Sequence, residues 1–208
     1  EARARGAQLT AETCPQYLLL TEDVYRSEGG ENFSLMPPLR TSADQSALWD
    51  ALHDGTIGCV ATDHCPFRKD QKQLRSSFLE LPYGLPGVET LLPLLYSEGV
   101  VAGRIDLFDL VNLLSAEPAR IFGLSHAKGS LDVGQDADVV VFDPDSEWTI
   151  AAERLHMNTD FSPYEGKTVR GMVQTTLSRG EIVYDDGQLQ AQARRGRYVP
   201  GHIESNSV

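Results

Sequence analysis

Residues 59–67 read CVATDHCPF, an apolar run that ends on a carboxylate and an imidazole, two side chains that are costly to bring near a core. The β-branched Ile57, Val60 and Thr62 favour an extended chain, and Pro66 prevents the run from continuing. Residues 57–62 are therefore predicted to form a buried strand that carries Asp63 and His64 at its polar end.

Just upstream, Ser42 or Asp44 can cap a helix whose Ala47, Leu48, Ala51 and Leu52 share one face and which stops at Gly55. Before it lies MPPLR (36–40), whose two prolines impose an extended path, and the acidic loop TEDVYRSEGGEN (21–32). Residues 8–11 read as a further strand, leading into ETCPQYLLL (12–20), where Pro15 marks a break. Strand, loop, helix, strand, with polar residues just after each strand, is the alternation of an α/β sheet or barrel, and function is expected at those strand ends.

Downstream, 68–82 is a charged, irregular loop, and GLPGVETLLPLLYSEGV (84–100) enters a helix with Glu89 at its N-terminus. Helices follow at 107–114 and 118–122. Beyond Gly123 the pattern becomes short β runs between Gly and Asp turns, with 139–142 buried and 182–184 ending at Asp185, Asp186 and Gly187. The expected division is 1–124 for the α/β part and 125–208 for a small β domain, and the Arg-rich segment after Gln192 reads as a mobile terminus.

The 208 residues, 41% hydrophobic, suffice for a good core. The apolar stretches 91–95 and 139–142 fall far short of the roughly 18 to 20 residues of a membrane span, and no secretion signal is visible, so the expected location is cytoplasmic. A net charge of −12, with no basic cluster beyond Arg194, Arg195 and Arg197, argues against a nucleic-acid partner. Cys14, Cys59 and Cys65 lack CxxC spacing, so neither a disulfide framework nor a structural zinc site is indicated. The opening EARARGAQLT has no initiator Met and reads as the last turn of a helix, a Gly stop and a strand, which suggests a fragment lacking its N-terminal part.

Taken alone, Asp63 could cap a turn or accept loop amides as readily as it could ligate a metal, and His64 is similarly ambiguous. A hydrolytic metal site needs several ligands; His53, His126, His156 and His202 sit in unpromising contexts, and no HxH occurs.

ETCPQYL (12–18), MPPLR (36–40), ATDHCPF (61–67), GLPGVE (84–89), KGSLDVGQDADVVVFDP (128–144) and DFSPYEG (160–166), in that order, resemble the C-terminal part of a dihydropyrimidinase or D-hydantoinase of the cyclic amidohydrolase group. The resemblance implies the last two strands of a (β/α)8 TIM-type barrel with its closing helices, then the C-terminal share of a β-sandwich. It also implies two divalent metal ions, usually zinc, bridged by a carboxylated lysine, with that lysine and the histidine ligands upstream of Glu1. Asp63 would then be both a metal ligand and the catalytic proton carrier, with His64 supporting it by hydrogen bonding and Cys65 serving packing.

Two departures bear on substrate binding: Met36 stands where such proteins commonly have Ser, and Tyr83 where they commonly have Asn. Gln16 replaces a frequent His, Arg40 reads as a structural clamp, and Asp136, Asp138, Asp160, Tyr164 and Glu165 as structural. The implied reaction opens a small cyclic amide or imide, a hydantoin or dihydropyrimidine, to an N-carbamoyl amino acid in a homo-oligomer, dimer or tetramer, and the fragment alone is expected to be inactive. Two alternatives stand beside it: an allantoinase- or dihydroorotase-like enzyme, and a non-catalytic scaffold relative, in which the counterpart of Asp63 is typically lost.

Overall fold

The computed structural model describes residues 2–74, 76–190 and 195–202. Strands β1 (Glu12–Thr13) and β2 (Cys59–Val60) pair in parallel, with Glu12 beside Cys59 and Thr13 beside Val60. Two further backbone bonds, Gly58 N–H to Ala11 O (3.0 Å) and Ala61 N–H to Thr13 O (2.9 Å), lengthen the extended contact on both sides. The predicted strand at 57–62 is thus present with a shorter formal ladder, while the strand expected at 8–11 pairs at 12–13 instead. The break at Pro15 is where β1 gives way to helix α1 (Pro15–Leu19), which Pro15 opens at a position where a missing N–H costs nothing.

Parallel strands need a crossover, and α2 (Ser42–His53) lies within it. Its cap is Thr41 rather than Ser42 or Asp44. The Asp44 amide donates to Thr41 Oγ1, and the Asp44 carboxylate accepts in return from the Thr41 amide at 2.9 Å, a reciprocal capping box. Trp49, absent from the predicted face, is buried with Leu52 and donates its indole N–H to Leu18 O at 3.2 Å, whereas Ala47 is exposed.

Leu18, Trp49, Leu52, Ile57 and Val60 form one core with Leu95, Ile105, Leu110 and Leu113. Of the last four, Leu95, Leu110 and Leu113 come from two helical runs and Ile105 from the turn between them. The first joins α3 (Leu91–Leu95) to a π-helical stretch, Tyr96–Val101. The second joins α4 (Leu107–Val111), a π-helical stretch (Asn112–Ala116) and α5 (Glu117–Ile121), so that one run stands where two helices were predicted. The widened stretch ends just before Pro118, which has no N–H to give to the preceding turn.

Strands β3 (Val139–Thr149), β4 (Thr168–Ser178), β5 (Glu181–Asp185) and β6 (Gln188–Leu189) form an antiparallel sheet in sequential order. Asp186 and Gly187, both with positive φ, make the β5–β6 turn. One end of the sheet packs on the helical runs: Ile150, Tyr164 and Val169 bury Leu94, and the Phe142 ring meets Tyr96 edge-on at 4.9 Å. The other end is open. Val140 and Val141, within the run predicted as buried, are 47% and 45% exposed, because apolar content does not reveal which faces of a strand are covered.

Residues 195–202 do not behave as the expected loose terminus. Arg195 pairs with Glu181 at 2.8 Å and donates to Ser178 O, and the His202 amide donates to Gly123 O. The remainder of that predicted tail, 193–194 and 203–208, lies outside the described residues. Among the described residues, no helix is long and apolar enough to cross a membrane.

Candidate functional site

Asp63 follows β2 at its C-terminal end with φ +47°, in the left-handed region that Asp tolerates at some cost. Its side chain is exposed, and among the described residues no hydrogen bond or ion pair reaches the carboxylate. The turn-capping reading left open above therefore has no bond to rest on. A strained backbone that presents an unpartnered anion is a feature that concentrates at functional sites.

The Asp63 charge is felt by the loop after β1. The Cys14 thiol is pushed up to about 12, first by burial and then by Asp63. Tyr17 is likewise raised to about 12 by burial, with the Cys14 and Asp63 charges adding to it. Burial, then Asp63, raises Cys65 as well, so these thiols stay protonated and none is an activated nucleophile.

His64 forms a parallel bridge with Leu85, and its Nδ1 accepts from the Gly87 amide at 3.1 Å and the Val88 amide at 3.4 Å. Burial lowers its pKa, so the ring is neutral and the proton sits on Nε2. The Cys65 amide donates to Leu85 O at 3.0 Å, which lays the 84–88 loop along 63–67. Only glycine fits at position 84: φ is +129°, and a Cβ there would come within 2.5 Å of Cys65 Sγ.

Met36 and Tyr83 are 61% and 37% exposed on two loops joined through Ser34. The Ser34 carbonyl accepts from the Gly84 amide at 3.0 Å, and its hydroxyl donates to Pro82 O at 3.0 Å. Lys72, in the loop predicted as charged and irregular, is wholly buried and donates Nζ–H to Ser34 O (2.8 Å) and Ser34 Oγ (2.9 Å). Tyr17 OH donates to Pro37 O at 2.9 Å, and the buried Gln16 reaches Thr62 O at 3.4 Å. Arg40 makes no clamp: its side chain is exposed, without a hydrogen bond or ion pair among the described residues.

The residues read as structural do hold turns. Lys128 pairs with Asp136 and Asp138, Asp160 accepts from the Lys69 amide, Glu165 accepts from the Ala152 amide, and Tyr164 is buried. Glu89 directly precedes Thr90, the N-cap of α3, and its carboxylate receives the His156 amide and lies 2.9 Å from His156 Nδ1. These two residues border a groove of about 1200 Å³ along β4 and β5 that does not include Asp63.

Lys72 and Ser34 carried no sequence signal, since an isolated Lys or Ser in a polar loop reads as solvated, and nothing in the sequence pairs Glu89 with His156, 67 residues away. Among the described residues, no three His, Cys, Asp or Glu side chains cluster to hold a metal ion. Asp63 fits such an ion as a single free anionic donor, and the described part of the chain does not supply a complete ligand set.

The chain is 48% identical over 200 residues to a D-phenylhydantoinase of Escherichia coli, across 95% of this chain and 43% of that protein. Two solved structures superpose with a TM-score of 0.94: a D-hydantoinase from a Bacillus species, 42% identical, and a dihydropyrimidinase from Brevibacillus agri, 40% identical. Each alignment covers 97% of this chain and 45% of the other. The chain thus spans less than half the length of these relatives. The amidohydrolase family profile matches residues 23–183, well over half of the chain. The chain belongs to the amidohydrolase family.

Proposed function

We propose that this chain is the C-terminal part of a metal-dependent hydrolase that opens a hydantoin or dihydropyrimidine ring to an N-carbamoyl amino acid. Residues 1–124 would close a TIM-type barrel, 125–208 would contribute to a β-sandwich, and the whole would work as a cytoplasmic homo-oligomer, a dimer or tetramer. The observation that carries the reading is Asp63: an exposed, unpartnered carboxylate on a strained backbone at the end of a parallel strand, flanked by the loops of Met36, His64 and Tyr83.

Asp63 would be the ligand that this chain contributes to a pair of divalent ions, of which zinc best suits the resemblance, bridged by a carboxylated lysine outside the chain. When bound, such ions polarise the amide carbonyl and lower the pKa of bound water towards about 7. The Asp63 carboxylate accepts the proton of the attacking water and passes it to the departing ring nitrogen, so one residue serves both halves of the reaction. An Asn could do neither, because only the ionised carboxylate both holds a cation and takes a proton. His64 acts one step back, with Nδ1 holding the 84–88 loop in place. Met36 and Tyr83 meet the ring from two loops.

Met36 and Tyr83 also keep a second reading in play, in which the ring is that of allantoin or dihydroorotate. The presence of Asp63 counts against a non-catalytic scaffold. Full-length protein assayed with hydantoin, dihydrouracil, allantoin and dihydroorotate tests the proposal: opening of either of the first two supports it, opening of only allantoin or only dihydroorotate overturns it in favour of the second reading, and opening of none overturns hydrolysis.

A further inference from the structure

The bulkiest wholly buried side chain among the described residues belongs to a lysine, Lys72. Its ammonium faces the carbonyl and hydroxyl of Ser34, with the Phe67 ring 5.9 Å away, and among the described residues it has no carboxylate partner. Burial draws its pKa down to about 8. An apolar side chain of similar length would fill this space without the desolvation cost of an unpaired charge, so stability does not explain a lysine here.

The geometry around it does. Lys72 sits on a turn in which its own amide donates to Arg68 O and Lys69 O, and the Arg68 amide donates to Gln71 Oε1 at 2.8 Å. That turn is anchored from outside: Thr159 Oγ1 donates to Phe67 O at 2.8 Å, and the Lys69 amide donates to Asp160 Oδ1 at 2.9 Å. The position of the ammonium is therefore fixed independently of the two loops it serves. On its far side, Ser34 receives the Gly84 amide and donates to Pro82 O. Met36 lies two residues beyond Ser34, and Tyr83 lies between Pro82 and Gly84.

We propose that Lys72 is a positioning residue for ring recognition: acting through Ser34, it holds the Met36 and Tyr83 loops at the separation that admits the cyclic substrate, and so sets which ring substituents fit. This rests on the hydrolase reading above. Two charge-assisted bonds converge on one serine, and nothing else among the described hydrogen bonds ties the 67–72 turn to residue 34.

The test uses full-length protein carrying Lys72→Met, Lys72→Arg or Ser34→Ala. Amide hydrogen exchange is followed at Gly84, and KM and kcat are measured for hydantoins with small and bulky 5-substituents. Lys72→Met is expected to speed exchange at Gly84 about tenfold while amides in α2 and β4 keep their wild-type rates, and to raise KM about tenfold with kcat within about twofold. Discrimination between small and bulky substituents should fall with it. Lys72→Arg should recover part of the KM, and Ser34→Ala should move both readouts in the same direction by less, since the carbonyl remains. Unchanged Gly84 exchange, or faster exchange spread evenly through the core with KM unaltered, overturns the proposal. Should wild-type protein open none of the rings, the hydrolase reading falls separately, and the Gly84 exchange rate alone then upholds or overturns the Lys72 tie.

Discussion

The β1–β2 pair and the β3–β6 sheet solve the same problem in opposite ways. The parallel pair has two ladder residues per strand, yet its own Val60 and the preceding Ile57 are buried under side chains from α1, α2, both helical runs and the turn between those runs. In the antiparallel sheet, β3 and β4 are eleven residues each, and Val140 and Val141 still stand 47% and 45% exposed. The first region is held by what packs on it and the second by its own hydrogen bonds. A strand held by packing can end abruptly, and its end is free to present polar groups such as Asp63 and the loops beside it.

That contrast is open to direct attack. Truncating Trp49 or Leu95 to Ala should lower unfolding free energy by about 3 to 5 kcal/mol, read from urea denaturation of the full-length protein. A loss below about 1 kcal/mol at both positions would mean that the parallel pair does not depend on its cover. Gly84→Ala forces a Cβ into Cys65 and a side chain into positive φ, with an expected cost of about 1 to 3 kcal/mol and a higher KM. At the other extreme, Val140→Thr should change stability by about 0.5 kcal/mol or less, and a larger loss would show the open end of the sheet to be covered in the full-length protein.

A pH series sharpens the comparison at its most unusual point. Lys72 has a folded pKa near 8, below the unfolded value of about 10.4, so the cost of burying its charge is fully present below pH 8 and is relieved as pH rises towards 10.4. Wild type should therefore gain stability relative to Lys72→Met between pH 8 and pH 10, measured by urea unfolding at each pH. No relative gain across that window would mean that the amine is solvated.

The end of β2 was legible because β-branched residues, a proline and two polar side chains all fall where a strand must stop. The cap of α2 was one residue off because Thr41, Ser42 and Asp44 are all good capping residues, and only the reciprocal bond between Thr41 and Asp44 decides among them. Trp49 lies outside the predicted face of Ala47, Leu48, Ala51 and Leu52, but it precedes Leu52 by three residues, and the buried stripe runs through these two rather than through Ala47. Burial at 139–142 and the role of Lys72 were illegible for a shared reason: what covers a strand face or a loop lysine comes from segments distant in sequence. For Lys72 these are Ser34 on one side and Thr159 and Asp160 on the other. The candidate site was thus readable where it lies on one strand, and hidden where it is assembled from loops.

The measurement that bears most directly on the central claim is the turnover of Asp63→Asn in full-length protein, with its unfolding midpoint recorded alongside. Asn adopts the left-handed backbone at least as readily as Asp, and the carboxylate has no partner to lose among the described residues, so folding should be unaffected. Ring opening is expected to fall by about 10²- to 10⁴-fold or more, the contribution of a positioned proton carrier. Wild-type turnover from a folded Asp63→Asn protein would contradict the account.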